Sequence, residues 1–312
     1  MLQIIYKLIG LGLNIGSLIA PNRAAHTAIN LFSAPPKPRL REKERLFLDS
    51  ARQVRRQVAG MPVVEYHWGD GNAPMVLLSY GWGYNSGRWR HFVPELVQAG
   101  YRVVAYDPPG HGLAPAGYLN IPKNAAIIRA LLTEYGPAEA IIGHSFGGSS
   151  SIFALDGLPD WQHPRRMVIM ASFSYAPRIF DEYRRAVGLW PSLYWNMVRK
   201  FEQQIGYPLE YFDLAMMTAK LPHIQGLLVH SSGDRVTPHG EAQRYHAFWP
   251  GSRLFSPRDG GHHLGTPDIT AAVLDFVPRA PHRHRPPFRN NPCRSGTIWC
   301  GILRGCEGKA EA

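Results

Sequence analysis

The stretch that decides the fold runs Ala138-Glu139-Ala140-Ile141-Ile142-Gly143-His144-Ser145-Phe146-Gly147-Gly148-Ser149-Ser150-Ser151-Ile152-Phe153-Ala154-Leu155-Asp156. A short apolar run suited to a buried strand enters the tight turn Gly143-His144-Ser145-Phe146-Gly147-Gly148, and a helix-compatible segment leaves it. Strand, sharp turn and helix in that order form the context of a nucleophile elbow. The turn is so tight that the positions two before and two after the serine must be small, and Gly143 and Gly147 fill both. It lifts the Ser145 hydroxyl above the end of the sheet and sets a helix N-terminus, with free N–H groups and a positive dipole, beneath it. His144 beside the nucleophile is expected to be structural.

Outward from the elbow, the chain alternates buried-strand runs with helix-sized segments. Gln53–Val58 and Val63–Trp68, joined by Ala59-Gly60, predict an antiparallel hairpin. Val76–Ser79, Arg102–Tyr106, Ala138–Ile142 and Met167–Ala171 predict strands, separated by helices near Trp89–Ala99, Lys123–Tyr135 and Ser145–Asp156. Residues 175–220 interrupt the rhythm with a helical insertion rich in Trp, Tyr and Phe. The alternation then resumes with Gln225–His230, a helix near Gly240–Phe248, Ser252–Phe255 and a helix near Asp268–Phe276. Continuous apolar runs separated by helices predict an α/β fold whose mostly parallel sheet is covered on both faces.

A serine is a weak nucleophile unless a base takes its proton and a third group orients that base. Asp234, in Ser232-Gly233-Asp234-Arg235-Val236-Thr237-Pro238, follows the strand that ends at His230. His262, in Gly260-Gly261-His262-His263, follows the strand that ends near Phe255. Both fall in loops at the C-terminal ends of strands, where open α/β sheets assemble their sites. Spacing after the glycine pair favours His262 as the base; His263 takes its place if the loop is shifted by one.

These features resemble the α/β-hydrolase fold family over roughly residues 53–277. Leu77-Leu78-Ser79-Tyr80-Gly81-Trp82-Gly83 is similar to the family's oxyanion loop, and Asp107-Pro108-Pro109-Gly110-His111-Gly112 to the turn after its fourth strand. Asp107, Gly110 and His111 are expected to form that turn rather than to act in catalysis. The resemblance implies a triad of Ser145, Asp234 and His262, and an oxyanion hole made by the backbone N–H groups of Trp82 and Phe146. It also implies that residues 175–220 are a lid inserted after the sixth strand. No acidic residue directly follows that strand, so Asp234 has no rival. Tyr80-Gly81 stands where many members carry His-Gly, so the supports of that loop must differ. Serine in place of aspartate argues against the dehalogenases and epoxide hydrolases of the family. The expected activity is hydrolysis of a carboxylic ester of an apolar small molecule through an acyl-enzyme, without cofactor or metal. A thioesterase or acyltransferase on the same residues, or a non-catalytic ligand-binding member, is the alternative.

Composition excludes other classes. Of 312 residues, 45% are hydrophobic, which rules out wholesale disorder. The net charge of +11 belongs to the ends: residues 1–60 carry +7, residues 279–312 carry +5 and the body −1. A neutral body argues against nucleic acid as partner. Cys293, Cys300 and Cys306 all lie in the last 20 residues, so the body uses no disulfide framework. His282-x-His284 beside them matches no metal-site spacing. Residues 278–312 read as a basic, disordered tail, and residues 1–52 as an N-terminal helical extension and linker.

Gly10-Leu11-Gly12 lacks the acidic residue about 20 positions on that dinucleotide binding requires. Residues 1–33 are read as an amphipathic extension that packs on the body or touches a membrane surface. A signal peptide is the alternative, although Asn14 and three glycines break the apolar stretch and Arg23 stands where small residues belong. A cytoplasmic location follows, or export or a membrane-peripheral one if residues 1–20 act as signal or anchor. Of the insertion's aromatics (Phe180, Tyr183, Trp190, Tyr194, Trp195, Phe201, Tyr211 and Phe212), most are expected to be core between the insertion and the body and about a third to line an acyl pocket.

Overall fold

A computed structural model describes residues 2–36 and 39–280 of the chain; the three cysteines and His282-x-His284 of the tail lie outside the described residues. The chain opens with α1 (Leu2–Ile19) and α2 (Pro21–Ser33). Proline disfavours a helical residue before it, and Ala20 accordingly leaves the helix at φ −135°, ψ 69°, which ends α1 and starts α2. After α3 (Glu42–Asp49) come β1 (Arg52–Val58) and β2 (Met61–Trp68). Ala59 and Gly60 both take positive φ, 49° and 74°, the pairing a two-residue hairpin requires to match strand twist.

The alternating part follows as β3 (Met75–Ser79), α4 (Val93–Gln98), β4 (Arg102–Asp107), α5 (Ile121–Tyr135), β5 (Ala140–His144), α6 (Phe146–Leu155) and β6 (Arg166–Met170). The helix expected near Trp89–Ala99 is divided: Ser86–His91 is a 3-10 turn and α4 starts afresh at Val93, with Pro94 in its first turn. The fifth strand reaches His144, two residues further than expected, because His144 still pairs with Met170. Next come α7 (Ala176–Val187), α8 (Pro191–Ile205), α9 (Leu214–Thr218), β7 (Gln225–Val229), α10 (Gly240–Phe248), β8 (Arg253–Phe255) and α11 (Pro267–Phe276). The helical insertion after β6 is closed at its base by a bridge between Tyr175 and Asp213, and Arg244 grips the Asp213 carboxylate with two hydrogen bonds of 2.7 and 2.5 Å.

The eight strands lie in the order β1-β2-β4-β3-β5-β6-β7-β8; β2 pairs antiparallel with both β1 and β4, and the remaining pairings are parallel. Alternate residues supply the two cores. Leu77, Val104, Ile141 and Ile169 face the layer of α5 and α6, while Val76, Val103, Ile142 and Met170 face α4 and α11. The chain runs from β3 to β4 on one side and returns to β5 on the other. The direction of winding therefore reverses between β3 and β5, and a crevice opens past their C-terminal ends, where ligands bind in such sheets. Tyr80 follows β3 there, and Ser145 follows β5.

Candidate active site

Ser145 sits at the top of β5 with φ 52° and ψ −124°, a conformation that non-glycine residues rarely adopt. Its surroundings hold it there. The Ser145 N–H donates to the Met170 carbonyl (2.8 Å), and the Ser145 carbonyl accepts from Ser149 N–H (3.1 Å). A Cβ at Gly143 would stand 2.5 Å from Gly148 Cα, and one at Gly147 would strike the carbonyl oxygens of Ser79 and Tyr80. Gly147→Ala is therefore expected to cost about 3 kcal/mol, since backbone cannot move aside as a side chain can, and to lower Tm by about 6–10 °C. A thermal melt within a degree of wild type would contradict this packing.

The structure brings Ser145, His262 and Asp234 into one hydrogen-bonded chain. His262 Nε2 lies 3.1 Å from Ser145 Oγ, and His262 Nδ1 lies 2.9 Å from Asp234 Oδ2. Burial opposes ionisation of Asp234. Hydrogen bonds from His230, from His262 and from the N–H groups of Thr237 and Val236 more than offset it and hold the carboxyl well below the usual carboxylate range. Asp234 is thus an acceptor only, which puts the proton of His262 on Nδ1 and leaves the Nε2 lone pair facing the Ser145 hydroxyl. His263 points elsewhere, its Nε2 3.2 Å from the Tyr84 hydroxyl.

Two further histidines hold this chain in place. His230, with its side chain almost fully buried, donates from Nε2 to the Thr237 carbonyl (2.8 Å) and lies 3.4 Å from Asp234 Oδ2. Sequence alone marks His230 only as the end of a strand; its spacing four residues before Asp234 is the available signal. His144, expected to be structural, donates from Nε2 to the His262 carbonyl (2.7 Å). Burial and the neighbouring His262 push its pKa down to about 3, so the ring is neutral. It also stacks on Tyr80 with centroids 4.6 Å apart. Tyr80 in the loop after β3 therefore supports the imidazole that anchors the His262 loop.

The same loop places Trp82 beside Phe146, their rings 5.2 Å apart edge to face. Phe146 is the first residue of α6 and so its N–H has no intrahelical acceptor, and the Trp82 N–H makes no hydrogen bond among the described residues. The loop is braced by Asp107, whose carboxylate accepts from the Ser86 N–H and hydroxyl, Tyr66 and the Leu113 N–H. Asp107 thus serves the turn, as its place in the sequence suggests.

A cavity of about 740 Å³ reaches Ser145 from beneath the insertion. Besides Ser145 and the Trp82 indole, the polar side chains lining it among the described residues are Asn120, Glu182 and two tyrosines. Four insertion aromatics, Phe180, Tyr183, Phe201 and Phe212, line it, while Trp190 and Trp195 face outward, 42% and 59% exposed. Tyr6 of α1 and Leu31 and Phe32 of α2 also form part of its wall, which nothing in the sequence announces. A cluster of Asp160, His163 and His223 lies beyond this site, before β6 and β7, where His163 Nε2 donates to the carbonyls of Leu155 and Leu158.

A model of the alpha/beta hydrolase family matches residues 75–273. The chain belongs to that family. It is 32% identical over 117 residues to epoxide hydrolase B of Mycobacterium tuberculosis (strain ATCC 25618 / H37Rv), a match spanning 35% of this chain and 31% of that one. It is 32% identical over 99 residues to a probable esterase of Oryza sativa subsp. japonica, covering 30% and 36% of the two. The chain thus matches about a third of the length of these curated relatives. Among solved structures, a bromoperoxidase from Bacillus anthracis superposes with a TM-score of 0.55 at 18% identity, over 72% of this chain and 99% of that one. A meta-cleavage product hydrolase from Pseudomonas fluorescens IP01 gives 0.53 at 18% identity, over 74% and 98%. The expected α/β-hydrolase fold, with its mostly parallel eight-stranded sheet, is borne out.

Proposed function

We propose that this protein is a serine hydrolase that cleaves a carboxylic ester with a long apolar acyl chain. The observation that carries the reading is the continuous alignment of Asp234, His262 and Ser145 at the head of an apolar cavity. His262 Nε2 takes the hydroxyl proton as Ser145 Oγ attacks the ester carbonyl, and Asp234 stabilises the imidazolium that results. The N–H groups of Trp82 and Phe146 receive the oxyanion, a contribution of about 3–4 kcal/mol per donor in such sites. His262 then protonates the departing alcohol, the acyl group remains on Ser145, and a water deprotonated by His262 releases the acid. The insertion acts as the lid that keeps bulk water from the acyl chain.

The serine favours ester over epoxide cleavage, the two reactions named among the curated relatives above. Attack of Ser145 on an epoxide would leave a stable ether, which His262 and water cannot hydrolyse, whereas attack on an ester leaves an acyl-enzyme that they can. Acyl transfer to thiols or other acceptors would use the same residues, and no observation favours it over water.

Chain length tests the cavity. With p-nitrophenyl esters, each further methylene buried is worth about 0.8 kcal/mol, roughly a fourfold gain, so kcat/KM is expected to rise about 100-fold or more from acetate to octanoate. A profile that is flat or falls with length would remove the long-chain reading.

A further inference from the structure

The helix α1 is unusual in what it leaves uncovered. Among its described side chains, only those at Gly10 and Asn14 are buried. A Cβ at Gly10 would strike the Val187 carbonyl, and Asn14 holds the turn between α7 and α8, donating to the Gly188 carbonyl (2.9 Å) and accepting from the Trp190 N–H (2.9 Å). These contacts fix the rotation of the helix. Leu13 is half-buried against the core of α2 and the insertion, and Lys7 donates to the Arg185 carbonyl, but most of the remaining apolar side chains are bare: Ile4, Leu8, Leu11, Leu18 and Ile19 are 64%, 62%, 51%, 71% and 88% exposed. A patch of this kind on a folded protein marks an interaction surface.

Three observations identify what covers it. First, no Asp or Glu occurs before Glu42, while Lys7, Arg23, Lys37, Arg39 and Arg41 do. A second copy of this chain would bring the same positive charge against it, whereas anionic headgroups complement it. Second, Trp190, whose backbone is held by Asn14, is 42% exposed, and Trp195 in α8 is 59% exposed; tryptophan favours the boundary between headgroups and acyl chains. Third, Tyr6 of α1 lines the cavity that ends at Ser145. The bare helix and the acyl pocket are thus continuous. No helix among the described residues is long and apolar enough to cross a membrane, so contact would be along the surface.

We propose that α1 lies in the plane of a bilayer rich in anionic lipid and that the substrate is an ester-bearing amphiphile which passes from that bilayer into the cavity beside Tyr6. The substrate half rests on the function proposed above; the docking half does not.

The test uses the full chain and the double variant Ile4→Glu/Leu8→Glu, whose side chains touch neither the cavity nor the buried edge. Wild type is expected to sediment with phosphatidylcholine vesicles holding 30% phosphatidylglycerol. Binding should be at least tenfold weaker on pure phosphatidylcholine and at 0.5 M salt, and at least tenfold weaker for the variant. Turnover of soluble p-nitrophenyl butyrate should be equal in both proteins, while hydrolysis of a long-chain ester embedded in the vesicles should fall at least tenfold in the variant. Equal sedimentation of the two proteins, or none by wild type, would overturn the proposal. So would a wild-type dimer that the variant dissolves, which would make the face a self-interface. Vesicle binding lost in the variant, with no turnover of either ester by wild type, would uphold docking and overturn the substrate half together with the hydrolase reading. Binding and soluble turnover as expected, with equal hydrolysis of the embedded ester, would overturn the substrate half alone.

Discussion

Ser145→Ala is expected to lower kcat for an ester substrate by about a million-fold while leaving KM and the fold nearly unchanged. As the proposed nucleophile, Ser145 has no substitute in the cavity, where the other polar side chains among the described residues are Asn120, Glu182, two tyrosines and the Trp82 indole. The activity left is expected to be the background that the Trp82 and Phe146 amides, as the proposed oxyanion donors, would supply. Alanine accepts the φ of 52° no less readily than serine, and only the 3.1 Å hydrogen bond to His262 is lost, about 1 kcal/mol. Steady-state kinetics with a thermal melt of the same preparation separate the two effects. A fall in kcat of less than a hundredfold, with the fold intact, would mean that Ser145 is not the nucleophile.

Asp234→Asn is expected to lower kcat by about 10,000-fold at neutral pH with little change in KM. Asp234 Oδ1 accepts from the N–H groups of Val236 and Thr237 at 2.7 and 3.0 Å, so an asparagine would turn its carbonyl toward them. Its NH₂ would then face His262 Nδ1 and force the imidazole proton onto Nε2. In that tautomer Nε2 donates to Ser145 instead of accepting from it, and the base is gone although every heavy atom is in place. His230, which shares its Nε2–H between the Thr237 carbonyl and Asp234, would lose an anionic acceptor as well. A drop below about tenfold would contradict the role of Asp234 in fixing the tautomer.

The sequence made these residues legible because the elbow tolerates few substitutes. Glycines are needed at 143 and 147 for reasons of backbone contact, and the strand and helix on either side are read from short apolar runs. Asp234 and His262 could be found because both directly follow strands, at the edge where such sheets place their loops. What supports them was less legible. The stacking of Tyr80 on His144, and the hydrogen bond from His144 to the His262 loop, join parts of the chain far apart in sequence, and nothing local to Tyr80 announces them. The contact of Asn14 with Trp190 spans 176 residues. The apolar pattern of residues 2–19 predicted a helix. It did not reveal which edge would be buried, because the edge is made by a glycine and an asparagine with Leu13 half-buried beside them, while most of the leucines and isoleucines stay outside.

The extent of the cavity was hidden for the same reason. The aromatics of the insertion read mainly as core with about a third in a pocket, and the sequence did not say which; Phe180, Tyr183, Phe201 and Phe212 line the cavity. Leu31 and Phe32 complete the wall only after α2 has packed on α8, with Ala25, Ala28 and Ile29 buried against residues such as Leu193 and Met197. That packing is a tertiary choice that periodicity alone cannot assign to a partner.

The most direct measurement is labelling of the purified full chain with a fluorophosphonate probe, followed by peptide mass mapping. Such probes react with a serine whose hydroxyl is deprotonated as it attacks. The arrangement of His262 and Asp234 predicts stoichiometric labelling confined to Ser145, abolished in Ser145→Ala and strongly reduced in Asp234→Asn. A folded wild-type protein that stays unlabelled, or one labelled at another serine, would contradict the account.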